Sequence, residues 1–334
     1  MPQPTPSALT PKPINAPSLD LVPGALREEL TGIIDDTQAY LSLQVADSTR
    51  RAYTGDWTVF QRFCDEFQLP SLPAAPSTVA LFLAREARAG RKVSTLDRRA
   101  ASIRLAHRTE GLDPPTDDEL VKAVLRGIRR KHRSQPGKKA PVLADQLLAM
   151  VALADPGTLT GARDRALLLL GFGAALRRSE LVGLQVENLE FVQKGLRVHI
   201  LQSKTDQEGR GQVVPVTRGT DACPVAAVAH WLALAGIEEG PVFRRVFKDA
   251  RVAGKALSAY SVAVIVKRYA ERLGLDPASF AGHSLRSGFL TSAARNHASL
   301  HKMMEVSRHK EPKTVMGYIR DAEEFDDHAG DGLL

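Results

Sequence analysis

One run near the C-terminus carries more chemistry than its surroundings: His283-Ser284-Leu285-Arg286, then Arg308-His309, then Tyr318 within Thr314-Val315-Met316-Gly317-Tyr318-Ile319-Arg320. The planar guanidinium of Arg286 can clamp two phosphate oxygens at once. The imidazoles of His283 and His309 can donate hydrogen bonds to an anion or move protons. The Tyr318 hydroxyl can act as a covalent nucleophile where its surroundings offset a high pKa. Singly, these residues read as a core tyrosine, a capping histidine and surface arginines; together they point to covalent chemistry on a phosphate. Far upstream, Leu176-Arg177-Arg178-Ser179-Glu180-Leu181 sets two arginines and a glutamate against an apolar stretch. Such charges are rarely buried without partners.

The elements that must position these groups are mostly helical. Tyr53, Trp57, Phe60, Cys64 and Phe67 recur at helical spacing behind Asp47-Ser48-Thr49, a good N-cap run, and mark a core stripe. A second helix over 78–89 turns Val79, Phe82 and Leu83 inward. Ser94 is expected to cap a third, with Asp97 in the capping-box position. A further helix over 117–133 buries Leu120, Val124, Leu125 and Ile128. Residues 164–175 read as a very apolar helix, buried on most sides. Residues 197–202 and 212–217 alternate as the strands of a β-hairpin with Lys204 at its mouth. Helices follow over 223–235, 258–273, 285–296, 300–306 and 312–319. Residues 1–38 read as a flexible arm with a short helix around 26–34, and 134–141 as a linker.

Lys and Arg exceed Asp and Glu by seven over the 334 residues, which favours a polyanionic partner. The excess is uneven: residues 1–38 are net −3, residues 39–141 net +8 and residues 142–334 net +2. A docking surface is therefore expected in the N-terminal half. Arg126-Gly127-Ile128-Arg129-Arg130-Lys131-His132-Arg133 contains no carboxylate, which favours phosphate contacts over a solvated face. Candidate residues for binding such a polyanion are Arg91, Lys92, Arg98, Arg99, Lys122, Arg126, Arg129, Arg130, Arg133, Lys138 and Lys139. No apolar run is long enough for a membrane span, and the N-terminus has no signal-peptide pattern. Cys64 and Cys223 lie far apart and read as buried thiols of a reducing cytoplasm.

These residues match a known pattern. Ala175-Leu176-Arg177-Arg178-Ser179-Glu180-Leu181 resembles the first arginine motif of the tyrosine recombinases, or phage integrases. His283-Ser284-Leu285-Arg286 resembles their His-x-x-Arg box, and His309 followed by Tyr318 resembles its remainder. Lys204 is similar in placement to the lysine of their β-hairpin. The likeness covers about residues 40 to 330, and the Val315–Arg320 stretch and N-terminal layout look closest to the Cre-like branch. No single motif is specific, whereas the ordered set is. Ala175 stands where the family usually has Gly, a departure expected not to touch the chemistry. The register Leu-Arg-x-Ser-Glu-Leu assigns the first site to Arg177 and leaves Arg178 at a variable position.

The resemblance implies a mainly α protein with a small β-sheet, built as a two-domain, C-shaped DNA clamp. A helical core-binding domain would span 39–133 and an α+β catalytic domain 142–322, with 323–334 a tail for protomer contact. It implies four protomers on two double-stranded DNA sites with inverted repeats, a monomer or weak oligomer without DNA, and no nucleotide cofactor or metal. Arg177 and Arg286 would hold the phosphate with His283 and His309 as further donors. Tyr318 would attack, Lys204 would protonate the leaving 5′-oxygen, and Glu180 would orient His283 or Arg177. A type IB topoisomerase-like enzyme and a binding-only regulator that kept the fold are the competing readings. A zinc site at His297, His301 and His309 is disfavoured, because no Glu follows His297 and no Cys is near.

Overall fold

The computed structural model describes residues 9, 10, 12, 13, 19, 22–132, 139–201 and 211–323. Arg133 at the end of the expected helix, the expected linker residue Lys138, the hairpin residue Lys204 and nearly all of the tail lie outside them. The chain divides into two units, Met1–Pro136 and Gly137–Leu334.

The first unit is helical: α1 Gly24–Leu43, α2 Asp47–Glu66, α3 Pro76–Arg88, α4 Val93–Thr109 and α5 Glu119–Lys131. Trp57, Phe60, Phe63 and Phe82 form its aromatic centre, with Leu83, Leu96, Ile103 and Val121 around them. Buried His107 is a satisfied core histidine: Nε2 accepts from the Ala74 N–H at 2.9 Å, and Nδ1 lies 2.9 Å from the Ile103 carbonyl. Several local expectations shift along their helices. Phe67 is exposed under the Arg85 guanidinium, and Phe63 takes the core place. Leu120 is exposed while Val121 is fully buried. Ser94 lies inside α4, whose N-cap is Lys92 with no side-chain cap bond, whereas Asp118 does cap α5 through the Leu120 N–H. The arm is not wholly free: α1 is twenty residues long, Leu9 is buried in the core, and Lys12 pairs with Glu110 at 2.6 Å.

The second unit holds α6 Ala144–Ala152, α7 Leu159–Gly173, α8 Arg178–Gly183, α9 Pro224–Ala235, α10 Ala259–Arg272, α11 Ser284–Arg295, α12 Leu300–Ser307 and α13 Pro312–Ala322. Strands β1 Leu189–Val192, β2 Gly195–Ile200 and β3 Gln212–Thr217 form an antiparallel sheet in that order, with Ile200 opposite Gln212. A second hairpin, β4 Arg244–Val246 and β5 Val252–Ala256, was not legible as strands. Thr158, Ser258 and Ser299 cap α7, α10 and α12 as their types favour. Helix α7 is the buried axis. Gly171 lets it approach Leu181 and Leu285, where a Cβ would meet their side chains at 3.0 Å and 2.9 Å. Gly288 presses α11 onto the backbone of Val142, at 1.8 Å from where a Cβ would sit. Helix α13 packs on α11 and α12 through Leu290, Met303 and Val315, and carries Tyr318 on that face. Among the described residues, no helix is long and apolar enough to cross a membrane.

Candidate active site

Buried Leu176 anchors the chain just before α8 and leaves Arg177 at its N-cap. Glu180, at the third position of the helix, reaches back. Its Oε2 accepts the Arg177 backbone N–H at 2.9 Å, and its Oε1 accepts from the Arg177 guanidinium at 2.6 Å. Glu180 therefore caps its helix and orients Arg177 at once. Arg178 is exposed, with its side chain over Gly282. The Glu180 carboxylate is 7% exposed. Burial alone would raise its pKa, but the Arg308 charge and the bonds from Arg177 outweigh that and hold it below the ordinary value.

Arg286 lies in the first turn of α11 and is buried. It donates to the Ala175 carbonyl at 2.6 Å and to the Ser307 carbonyl, and its Nη2 lies 3.2 Å from His309 Nε2. Burial, then the charges of Arg177 and Arg308, pull it down to about 10, which leaves it protonated at neutral pH. Ala175 bears on the site after all. It adopts a left-handed φ of +45°, and that turn aims its carbonyl at Arg286.

His309 is half-buried, with Nδ1 2.8 Å from the Ser307 hydroxyl. Burial, then Arg286, Arg177 and Arg308, depress its pKa to about 4, so the free protein carries a neutral ring there. The half-buried Tyr318 ring lies 6.5 Å from it, centroid to centroid. Exposed His283 is at the N-cap of α11. It lines an open cavity of about 400 Å³ together with Tyr318, Lys139 and Ser287. The structure thus brings together Arg177, Glu180, Arg286, His309 and Tyr318, with His283 at the rim of the Tyr318 cavity.

Sequence reasoning missed Arg308 as a member of this group. Its guanidinium is buried and donates to Glu180 Oε2 at 2.6 Å and to the Ala174 carbonyl at 3.3 Å. The pairing crosses from the end of α12 to α8, which no local pattern encodes. Among the described residues, no three His, Cys, Asp or Glu side chains gather as a metal-binding group.

The basic candidates of the first unit divide. Arg99 does not belong among exposed phosphate contacts: it is buried and paired with Glu86, with Asp56 at 3.5 Å. Arg98 is exposed but bidentate on Asp56, at 2.6 Å and 3.1 Å. Two of the three α5 arginines do have carboxylates, supplied by another turn and another helix: Glu119 for Arg126, and Asp97 for Arg129 at 2.6 Å. Arg91, Lys92, Lys122 and Arg130 stand exposed, with Glu86 3.6 Å from Arg91. Lys139, in the second unit, donates to the Ala278 carbonyl. A basic feature not anticipated is the β4–β5 hairpin, where Arg245 and Arg251 stack on Phe247.

The sequence pattern of the phage integrase family matches residues 142–324. An integrase/recombinase xerD homolog of Selenomonas ruminantium is 38% identical over 289 residues, covering 85% of this chain and 84% of that protein. The recombinase cre of Escherichia phage P1 is 24% identical over 328 residues, 92% of each. Among solved structures, a XerH site-specific recombinase in a post-cleavage complex with palindromic difH substrate superposes with a TM-score of 0.64 at 14% identity, covering 95% of this chain and 90% of that one. A lambda integrase dimer bound to a COC′ core site gives a TM-score of 0.60 at 17% identity, over 87% and 95%.

Proposed function

The chain belongs to the phage integrase family and is a site-specific recombinase, and from that premise we propose that it cleaves and rejoins double-stranded DNA through a 3′-phosphotyrosyl bond to Tyr318. The observation that carries this reading is the convergence of Arg177, Arg286 and His309 beside the Tyr318 ring. The Tyr318 hydroxyl gives its proton to water as its oxygen attacks phosphorus, and a P–O bond forms between Tyr318 and the 3′-phosphate. The bond from phosphorus to the 5′-oxygen breaks, and that oxygen leaves with a proton from Lys204. A general acid of this kind contributes ~10²–10⁴-fold. In the transition state charge builds on the non-bridging oxygens, where Arg177 and Arg286 are bidentate donors and His283 and His309 add single bonds. One phosphodiester is exchanged for another, so bond energy is conserved and no nucleotide is consumed.

Four protomers on two inverted-repeat sites then exchange one strand pair at a time through a Holliday junction. The exposed cations of the first unit supply sequence-independent affinity for phosphate. The test is Tyr318→Phe, which removes one oxygen. This variant should bind DNA site-specifically and form no covalent adduct, and sequencing the DNA it retains gives the target. An adduct still formed by it would remove Tyr318 from the mechanism. Joining of two target-bearing duplexes by the parent protein separates recombination from a topoisomerase-like nick and reseal.

A further inference from the structure

Arg308 ends α12 in the left-handed region, with φ +58° and ψ +37°. A side chain at such a helix end is disfavoured, and glycine is the usual occupant. Here the position carries a long cation that is 7% exposed. The backbone turn sends the guanidinium inward. Its Nη2 donates to Glu180 Oε2 at 2.6 Å, and its Nη1 to the carbonyls of Val306 at 3.0 Å and Ala174 at 3.3 Å. Glu180 is thereby shared. One oxygen serves the Arg177 guanidinium, and the other serves Arg308 and the Arg177 backbone.

We infer that Arg308 is a positioning residue: it neutralises Glu180, so that the carboxylate can orient Arg177 without cancelling the charge that Arg177 presents to the scissile phosphate. This rests on the phosphoryl-transfer reading above. Three guanidiniums, Arg177, Arg286 and Arg308, face one carboxylate, which leaves these four groups a net +2. The phosphate of the transition state approaches a charge of −2, so the balance matches. Without Arg308 the four-group centre falls to +1, and Glu180 has Arg177 as its remaining guanidinium partner in this network. Arg177 is then drawn toward Glu180 and away from phosphate. The same cation sits beside His309. Among the described residues, the other charged or titratable groups around that ring are Arg286 from α11, Arg177 at the start of α8 and Tyr318 from α13.

The test compares Arg308→Gln, Arg308→Lys and the double variant Glu180→Gln with Arg308→Gln, on DNA recovered by the Tyr318→Phe protein. Arg308→Gln should bind that DNA normally but cleave it on the order of 10–100-fold more slowly, the scale of one poorly screened charge. The double variant removes both charges and restores +2, so it should cleave faster than Arg308→Gln alone. A packing role predicts the opposite, because the damage of two substitutions then adds. In the free protein, the His309 Cε1 proton should titrate higher in Arg308→Gln than in the parent and stay low in Arg308→Lys. That measurement uses no DNA, so it stands apart from the phosphotyrosyl reading, which fails only if Tyr318→Phe still forms an adduct. A double variant no faster than Arg308→Gln overturns the inference. If Arg308→Gln does not fold, Arg308→Lys, which keeps the charge beside Glu180, decides. Cleavage within a few-fold of the parent upholds the inference, and a loss on the order of 10–100-fold overturns it.

Discussion

His309 is held neutral by the same arginines that are proposed to bind phosphate, and this gives its titration a direction. Its pKa of about 4 in the free protein comes from burial, then from Arg286, Arg177 and Arg308. The folded ring resists a proton that the unfolded chain accepts near pH 6.5, so its contribution to stability is lost as pH falls from about 6.5 through 4. A phosphate anion among the arginines offsets their charge and favours the imidazolium. The His309 Cε1 resonance should therefore titrate near 4 in the free protein and nearer its ordinary value in the Tyr318→Phe complex with DNA. An unmoved midpoint would place His309 away from the phosphate. Ala175 offers a second check at this scale. A left-handed alanine costs roughly 1–2 kcal/mol; Ala175→Gly relieves that, but glycine gives back ~0.5–1 kcal/mol in chain entropy and about 0.8 in buried Cβ. Ala175→Gly should thus unfold within about 1 kcal/mol of the parent, whereas Ala175→Val, branched at φ +45° in a fully buried site, should lose about 2–3 kcal/mol in urea titration. Equal stability of the two variants would show that the backbone turn is not what holds the position. Arg286, His309 and Tyr318 were legible because their types have distinctive chemistry within one run near the C-terminus, whereas Arg177, far upstream, was joined to them by the order of the motif set. Arg308 was not legible, because its role depends on a left-handed helix end and a carboxylate on another element.

Helix ends were read no better than helix faces. The expected caps at Asp47-Ser48-Thr49 and Ser94 fall inside α2 and α4, whose N-caps Ala46 and Lys92 make no side-chain cap bond, whereas Asp118, Thr158, Ser258 and Ser299 do cap their helices. The face of α5 slipped by one residue, because both Leu120 and Val121 are apolar and only tertiary packing selects Val121. Buried charge was the least visible. Asp164, in the middle of the apolar helix α7, is fully buried and accepts from Arg163, Arg268 and the Tyr269 hydroxyl. Burial, then Asp164, pushes the Tyr269 phenol up to about 12, which makes it a poor stand-in for Tyr318 as nucleophile. On α4 and α5 the same pairing alters what DNA would meet. Arg129 is exposed yet held by Asp97 at 2.6 Å, so phosphate must compete with a carboxylate. Arg129→Gln should weaken binding on all sequences and flatten the log–log salt slope by about 0.9 if Arg129 reaches a phosphate. Asp97→Asn should do the reverse, tightening non-specific binding by freeing the cation. Fluorescence anisotropy across a salt series reads both, and identical slopes in parent and Arg129→Gln would mean that the pair stays closed.

The two units each enclose a core of their own. Trp57, Phe60 and Phe82 anchor one apolar interior, whereas α7, α9 and α10 enclose another around Leu167, Trp231 and Val266. Each interior is closed within its own unit, Met1–Pro136 or Gly137–Leu334. Net charge does not follow that division: residues 1–136 are net +3 and residues 137–334 net +4, because the acidic residues before 39 offset the net +6 of residues 39–136. The groups proposed to react, Arg177, Arg286, His309 and Tyr318, all lie in the second unit, so the chemistry and the affinity supplied by the first unit's exposed cations are separable by this account. A fragment of residues 137–334 should fold cooperatively, because its core needs nothing from the first unit, and its circular dichroism should show one thermal transition. On the target duplex it should still form the Tyr318 adduct, but only at much higher protein concentration than the full chain. Counterion release makes the distinction quantitative: each phosphate that the first unit no longer neutralises takes about 0.9 off the log–log salt slope. The fragment's slope should therefore be several units shallower, while its adduct yield at saturating protein approaches that of the full chain. A folded fragment with an undiminished slope would put the phosphate-binding cations in the second unit, with the β4–β5 hairpin and its Arg245 and Arg251 the first place to look.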